Sequence, residues 1–120
     1  SPEIMHDQLM HVAEMSERPT IVVQVVPANI GANAGFGGGF VIARTEGAPD
    51  VVLMEGIEDQ TTERRALVRK AETAFDRLRG DALTRVQSRE LIRKVAQQWK
   101  TAQNFAGERP ATQPATAATA

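Results

Sequence analysis

The chain has no cysteine, no tyrosine and a single tryptophan. Without thiols there is no disulfide framework, no thiolate metal site and no cysteine nucleophile. A cysteine-free composition fits a cytoplasmic location, which is the expectation. No apolar run approaches the roughly 18 residues that a membrane span needs, so no membrane partner is expected. No signal peptide is recognisable before the first structured segment. The chain opens Ser1-Pro2 rather than with Met, so either a processed start or, as the preferred expectation, a piece of a longer polypeptide is in hand. Basic residues are also scarce, but only in the first half. From Ser1 to Thr61 there are nine acids and two bases, a net charge of −7. From Thr62 to Lys100 there are eleven bases and five acids, a net charge of +6. Such halves are either two solvated faces that attract within one fold, or a basic helical surface meeting nucleic acid or an acidic partner.

At 120 residues the chain is long enough for one domain with a modest core. Ser1 can cap a helix with Pro2 at its first position and Glu3 in its first turn. Met5, Leu9, Val12 and Ala13 recur at the spacing of one helical face. Arg18-Pro19 ends that helix, because the residue before proline is pushed out of the α region. Three strands are expected next: Thr20 to Val26, Phe40 to Arg44 and Val51 to Glu55. The first is β-branched on both faces and reads as an inner strand. The short turn Thr45 to Asp50 joins the second and third as an antiparallel hairpin. The period then changes to helical. Leu67, Ala71, Ala74, Phe75 and Leu78 mark a helix from near Thr62 to just before Gly80. Thr84, with Gln87 three residues on, has the capping-box spacing and opens a last helix with Leu91, Ile92, Val95, Ala96 and Trp99 on its apolar stripe. From about Gly107 the composition is Pro, Ala, Thr and Gln, with little to bury. The expected class is α+β: a small antiparallel three-stranded sheet packed with one N-terminal and two C-terminal helices. A single domain is expected over 1–104, with a disordered tail at 105–120.

The feature richest in information is the stretch Pro27 to Phe40 between two strands. Five glycines lie within nine residues, Gly31 to Gly39. Such a run lets the backbone approach another group closely, and loops of this length between strands are uncommon without a function. A plain hairpin connection is the alternative. The run is not a dinucleotide fingerprint, since a strand and not a helix follows it, and no Lys-Ser or Lys-Thr makes it a phosphate loop. A nest of amides binding an anion stays open.

The remaining constellations are thin. Asp7, His11 and Glu14 can meet on one helix face, but a metal would need another ligand, and exposed polar decoration is the simpler reading. Glu55, Glu58 and Asp59 cluster at a strand end without a His, Ser or Lys at a spacing that would assemble a dyad or triad. No enzyme, no cofactor and no metal site is expected. The two C-terminal helices have a helix-turn-helix outline, yet each is longer than a recognition pair usually is.

Several segments carry a family likeness when taken in order. They are Met5 to Met15, then Arg18-Pro19 with the Val-rich strand to Pro27. The element Gly31-Ala32-Asn33-Ala34-Gly35 follows, then Gly38-Gly39-Phe40 and Asp50 to Gly56. Last come Phe75 to Arg79, Ala82-Leu83 and Ser88 to Arg93. From Met5 to about Ala96 the set resembles the C-terminal domain of unknown function of actinobacterial XRE-type helix-turn-helix transcriptional regulators, which are antitoxin-like. The resemblance implies a non-catalytic regulatory module that senses a small-molecule signal or engages a small partner protein. DNA would be contacted only through an N-terminal domain absent from this chain. It directs attention to Gly31, Asn33, Gly35, Phe36 and Glu55 as ligand- or partner-binding residues. Members usually carry a tyrosine in the third strand and an aromatic after the Glu-Gly. Here Leu53-Met54 and Ile57 to Gln60 stand there instead, which implies the loss of part of any aromatic lining. A dimerisation module without a ligand is the alternative, with the acidic half of one copy facing the basic half of the next in a homodimer.

Overall fold

A computed structural model describes residues 1–28, 38–104 and 117–119. The chain divides into two compact units, one comprising Ser1–Ile30 with Ala82–Ala120 and the other Gly31–Asp81. The fold is α+β, with three helices and a three-stranded antiparallel sheet.

The first unit begins with α1, Pro2–Met15. The Ser1 hydroxyl accepts from the Ile4 amide at 3.3 Å, and Pro2 occupies the first turn where its missing N–H costs nothing. The buried face is narrower than the periodicity predicts. Ala13 is buried with Leu9 and Val12 beside it, while Met5 lies at the surface. The helix closes at Ser16, whose amide donates to the Val12 carbonyl and whose hydroxyl donates to that of Ala13. Strand β1, Val23–Val25, follows, shorter than the predicted span of 20–26. Helix α3, Arg85–Asn104, opens with both bonds of the predicted capping box. The Thr84 amide donates to Gln87 Oε1, and the Gln87 amide donates to Thr84 Oγ1, each at 3.1 Å. The core of this unit joins Ala13, Val23, Val25 and Ile92.

Two buried serines tie the unit together. Ser88, fully buried on α3, accepts from the Val25 amide at 2.9 Å. Ser16, at the end of α1, accepts from Arg89 Nε at 2.9 Å, while Arg89 Nη2 donates to the Ser16 carbonyl at 2.8 Å. The guanidinium thereby satisfies a carbonyl at a helix C-terminus, where a positive charge is also favoured.

The second unit holds the sheet in the order β2-β3-β4, with β2 at Phe40–Ala43, β3 at Val51–Met54 and β4 at Gln60–Thr62, all antiparallel. The expected hairpin is present, with Phe40 opposite Met54 and Ala43 opposite Val51. Its turn needs glycine at one place: Gly47 has φ +80°, a conformation that a Cβ disfavours. Alternation sends Phe40 and Ile42 inward with Val52 and Met54, onto Val68 and Ala71 of helix α2, Arg65–Asp81. Arg44 bridges the hairpin to this helix, 3.4 Å from Asp50 and 3.3 Å from Glu72.

Three features differ from the sequence reading. The third strand of the sheet is β4, over residues expected to lead into a helix, whereas β1 pairs with a short strand β5, Ala117–Thr119. The rest of the expected tail, 105–116 and 120, lies outside the described residues. Helix α2 runs through Gly80 without a left-handed φ, so Gly80 is an internal helical residue and not the terminator. No helix among the described residues is long and apolar enough to cross a membrane.

Candidate functional site

Of the residues singled out in the sequence, Gly31, Asn33, Gly35 and Phe36 lie outside the described residues. Glu55 is described, and its setting is specific. It follows the last residue of β3, and its amide donates to the Gly39 carbonyl at 2.9 Å, one step past the Phe40–Met54 pair. The hairpin ladder therefore continues onto the glycines that close the loop.

At 38 and 39 the glycines matter for space rather than for φ, since neither takes a left-handed conformation. A Cβ on Gly39 would stand 2.6 Å from Glu55 Oε2, and one on Gly38 would stand 3.0 Å from the Glu55 carbonyl oxygen. The Glu55 side chain thus folds back over the glycine backbone, with its carboxylate at the point where the glycine stretch enters β2. Beyond it, the Gly56 amide donates to Asp59 Oδ1 at 3.3 Å, and Glu55, Ile57, Glu58 and Asp59 are all exposed. This end of the hairpin is an acidic surface beside a bare stretch of main chain. Carboxylates accept hydrogen bonds and pair with guanidinium or ammonium groups.

Sequence reasoning placed Glu55 and the loop together by resemblance but missed the part played by Gly38 and Gly39. The signal was available, because two small residues entering a strand opposite a strand-end carboxylate leave room for that side chain to lie down.

The other constellation, Asp7, His11 and Glu14, lies along one groove. With Met10, Glu17 and Arg93 these residues line a groove of about 440 Å³ in the first unit. Arg93 pairs with Glu17 there, and His6 Nδ1 lies 3.0 Å from Asp7 Oδ1. Among the described residues no group of three or more His, Asp or Glu side chains is placed to hold a metal ion.

The chain belongs to the family described as Domain of unknown function (DUF5753), whose model matches residues 1–94. That span takes in α1, β1 to β4, α2 and the first half of α3. No curated protein and no solved structure shows significant similarity to the chain.

Proposed function

We propose that this chain is a non-catalytic regulatory module of a cytoplasmic helix-turn-helix transcriptional regulator. It binds a small partner protein or a small-molecule signal through the glycine stretch and Glu55, and DNA is read by a separate domain. The observation that carries the reading is the seat of Glu55 on Gly38 and Gly39. The exposed Glu55 carboxylate beside two residues without side chains offers a hydrogen-bond acceptor to a ligand donor with main chain within reach. The regulatory setting rests on the resemblance carried by the ordered motifs from Met5 to Ala96.

The test uses an intact regulator carrying this domain. Gly35→Val and Glu55→Ala are introduced, and both DNA-dependent repression and partner binding are measured. Loss of either, with the fold retained by circular dichroism, supports the reading. Unchanged repression together with unchanged partner binding refutes it.

A further inference from the structure

Strand β1 reads as an inner strand in the sequence, but among the described residues it has one strand neighbour, β5, although Val23 and Val25 are each 4% exposed. The main chain of Val25 is consumed on one side. Its amide donates to Ser88 Oγ at 2.9 Å, and its carbonyl accepts from the Leu83 amide at 2.8 Å. Along a strand, successive residues turn their N–H and C=O to opposite edges. Gln24 therefore turns its main-chain groups to the other edge, where Ala118 stands opposite it. A buried strand with an open edge is a template for another strand.

The segment that fills this edge is poorly suited to it. Strand β5 is three residues long and reads Ala-Ala-Thr. Alanine is depleted in strands, and the segment offers no side chain larger than threonine. When a peptide adds to a sheet edge, main-chain bonds supply affinity and alternate side chains supply specificity. β5 provides the first and little of the second. What holds it is its tether to the same chain, which raises its local concentration.

We propose that the β1 edge is a strand-acceptor site for an extended segment of a partner protein, occupied in cis by residues 117–119 until that segment displaces them. The register defines the chemistry of the partner. Residues directly opposite on an antiparallel pair share a face, so the partner positions opposite Val23 and Val25 fall on the face of those two valines. β-Branched or aromatic residues fit there. The position opposite Gln24 needs a free N–H and excludes proline. A second copy of this chain is a weaker candidate, because its untethered Ala-Ala-Thr has no advantage over the tethered one. This site belongs to the first unit and does not depend on the Glu55 reading.

The test uses the full chain. Ala118→Pro removes the N–H opposite Gln24 and releases β5. A second variant, Ala117→Val with Thr119→Val, strengthens the cis strand. The probe is a fluorescein-labelled peptide of residues 112–120 with valine at positions 117 and 119, read by fluorescence polarisation. The Ala118→Pro chain is expected to bind it about tenfold tighter than the unaltered chain, and the double variant about tenfold more weakly. The same peptide N-methylated at position 118 is expected not to bind. Equal binding by unaltered chain and double variant, or binding of the methylated peptide, overturns the proposal. Stable self-association of the Ala118→Pro chain without peptide binding also overturns it and makes a second copy the occupant.

Discussion

Ser88→Ala tests how β1 is held against α3, and its cost can be worked out from the bonds at that site. Ser88 is fully buried, and its hydroxyl accepts from the Val25 amide at 2.9 Å while reaching the Leu83 carbonyl at 3.4 Å. The two partners are not equally dependent on it. The Leu83 carbonyl also accepts from Gln24 Nε2 at 3.0 Å, so it stays paired when the hydroxyl is lost. Among the described residues the Val25 amide is given one acceptor, Ser88 Oγ, and without it lies inside a residue that is 4% exposed. One buried unsatisfied N–H costs about 1–3 kcal/mol. Alanine is the better helix former at this position and returns about 0.5 kcal/mol. A net loss of about 1–2 kcal/mol is expected. With a urea slope of about 1–2 kcal/mol per M, the unfolding midpoint falls by about 1 M. Trp99, half-buried on α3 of the same unit, supplies the fluorescence signal. Native-state hydrogen exchange supplies the local one, with the Val25 amide losing protection ahead of its neighbours. A midpoint shift below about 0.2 M, with Val25 still protected, would show that this bond does not hold the strand.

Five further substitutions have definite expectations. Arg89→Met strips the guanidinium from the Ser16 carbonyl and hydroxyl and is expected to lower the stability of the first unit by about 1–3 kcal/mol in the same urea titration. Glu17→Gln removes the neighbouring ion pair with Arg93, whose side chains are about half exposed, and thermal melts in low and high salt are expected to differ from the unaltered chain by less than about 1 kcal/mol. Val52→Ala empties a fully buried position between the sheet and α2, and chemical denaturation is expected to register a loss of about 2 kcal/mol. Gly38→Ala and Gly39→Ala should separate by kind. The first meets a backbone oxygen at 3.0 Å and is expected to cost about 1–2 kcal/mol of stability. The second meets only the end of the Glu55 side chain, so it leaves the melting curve nearly unchanged while weakening partner binding.

The elements that sequence made legible are those whose determinants are local. Ser1 with Pro2, and Thr84 with Gln87, set helix starts through bonds spanning three residues, and both starts are where the pattern puts them. The hairpin of β2 and β3 was readable because two β-branched runs flank a turn containing Gly47, which supplies the left-handed φ. What escaped depends on distant partners. Gln60–Thr62 has no apolar alternation and leads straight into a helix, so only its ladder with Val52 to Met54 makes it a strand. Ala117–Thr119 has weak strand preference of its own and owes its conformation to β1. Gly80 reads as a helix stop, yet the turn of helix around it is continued to Asp81.

The candidate site shows the same division at the scale of single residues. A glycine in a sequence is first read as conformational freedom, and at Gly47 that reading suffices. At Gly38 and Gly39 the property in use is the missing side chain, because the space is taken by Glu55, the residue that follows the neighbouring strand. Whether a glycine is there for its φ or for its emptiness depends on what stands opposite it, and strand register decides that. Register follows from the alternation of Phe40, Ile42, Val52 and Met54 onto Val68 and Ala71. A one-residue slip would turn those side chains to the opposite face and take Glu55 off its glycine seat. The hydrophobic pattern of the hairpin and the position of the carboxylate are therefore one constraint: the pairing that buries the core is the pairing that sets Glu55 at the loop mouth.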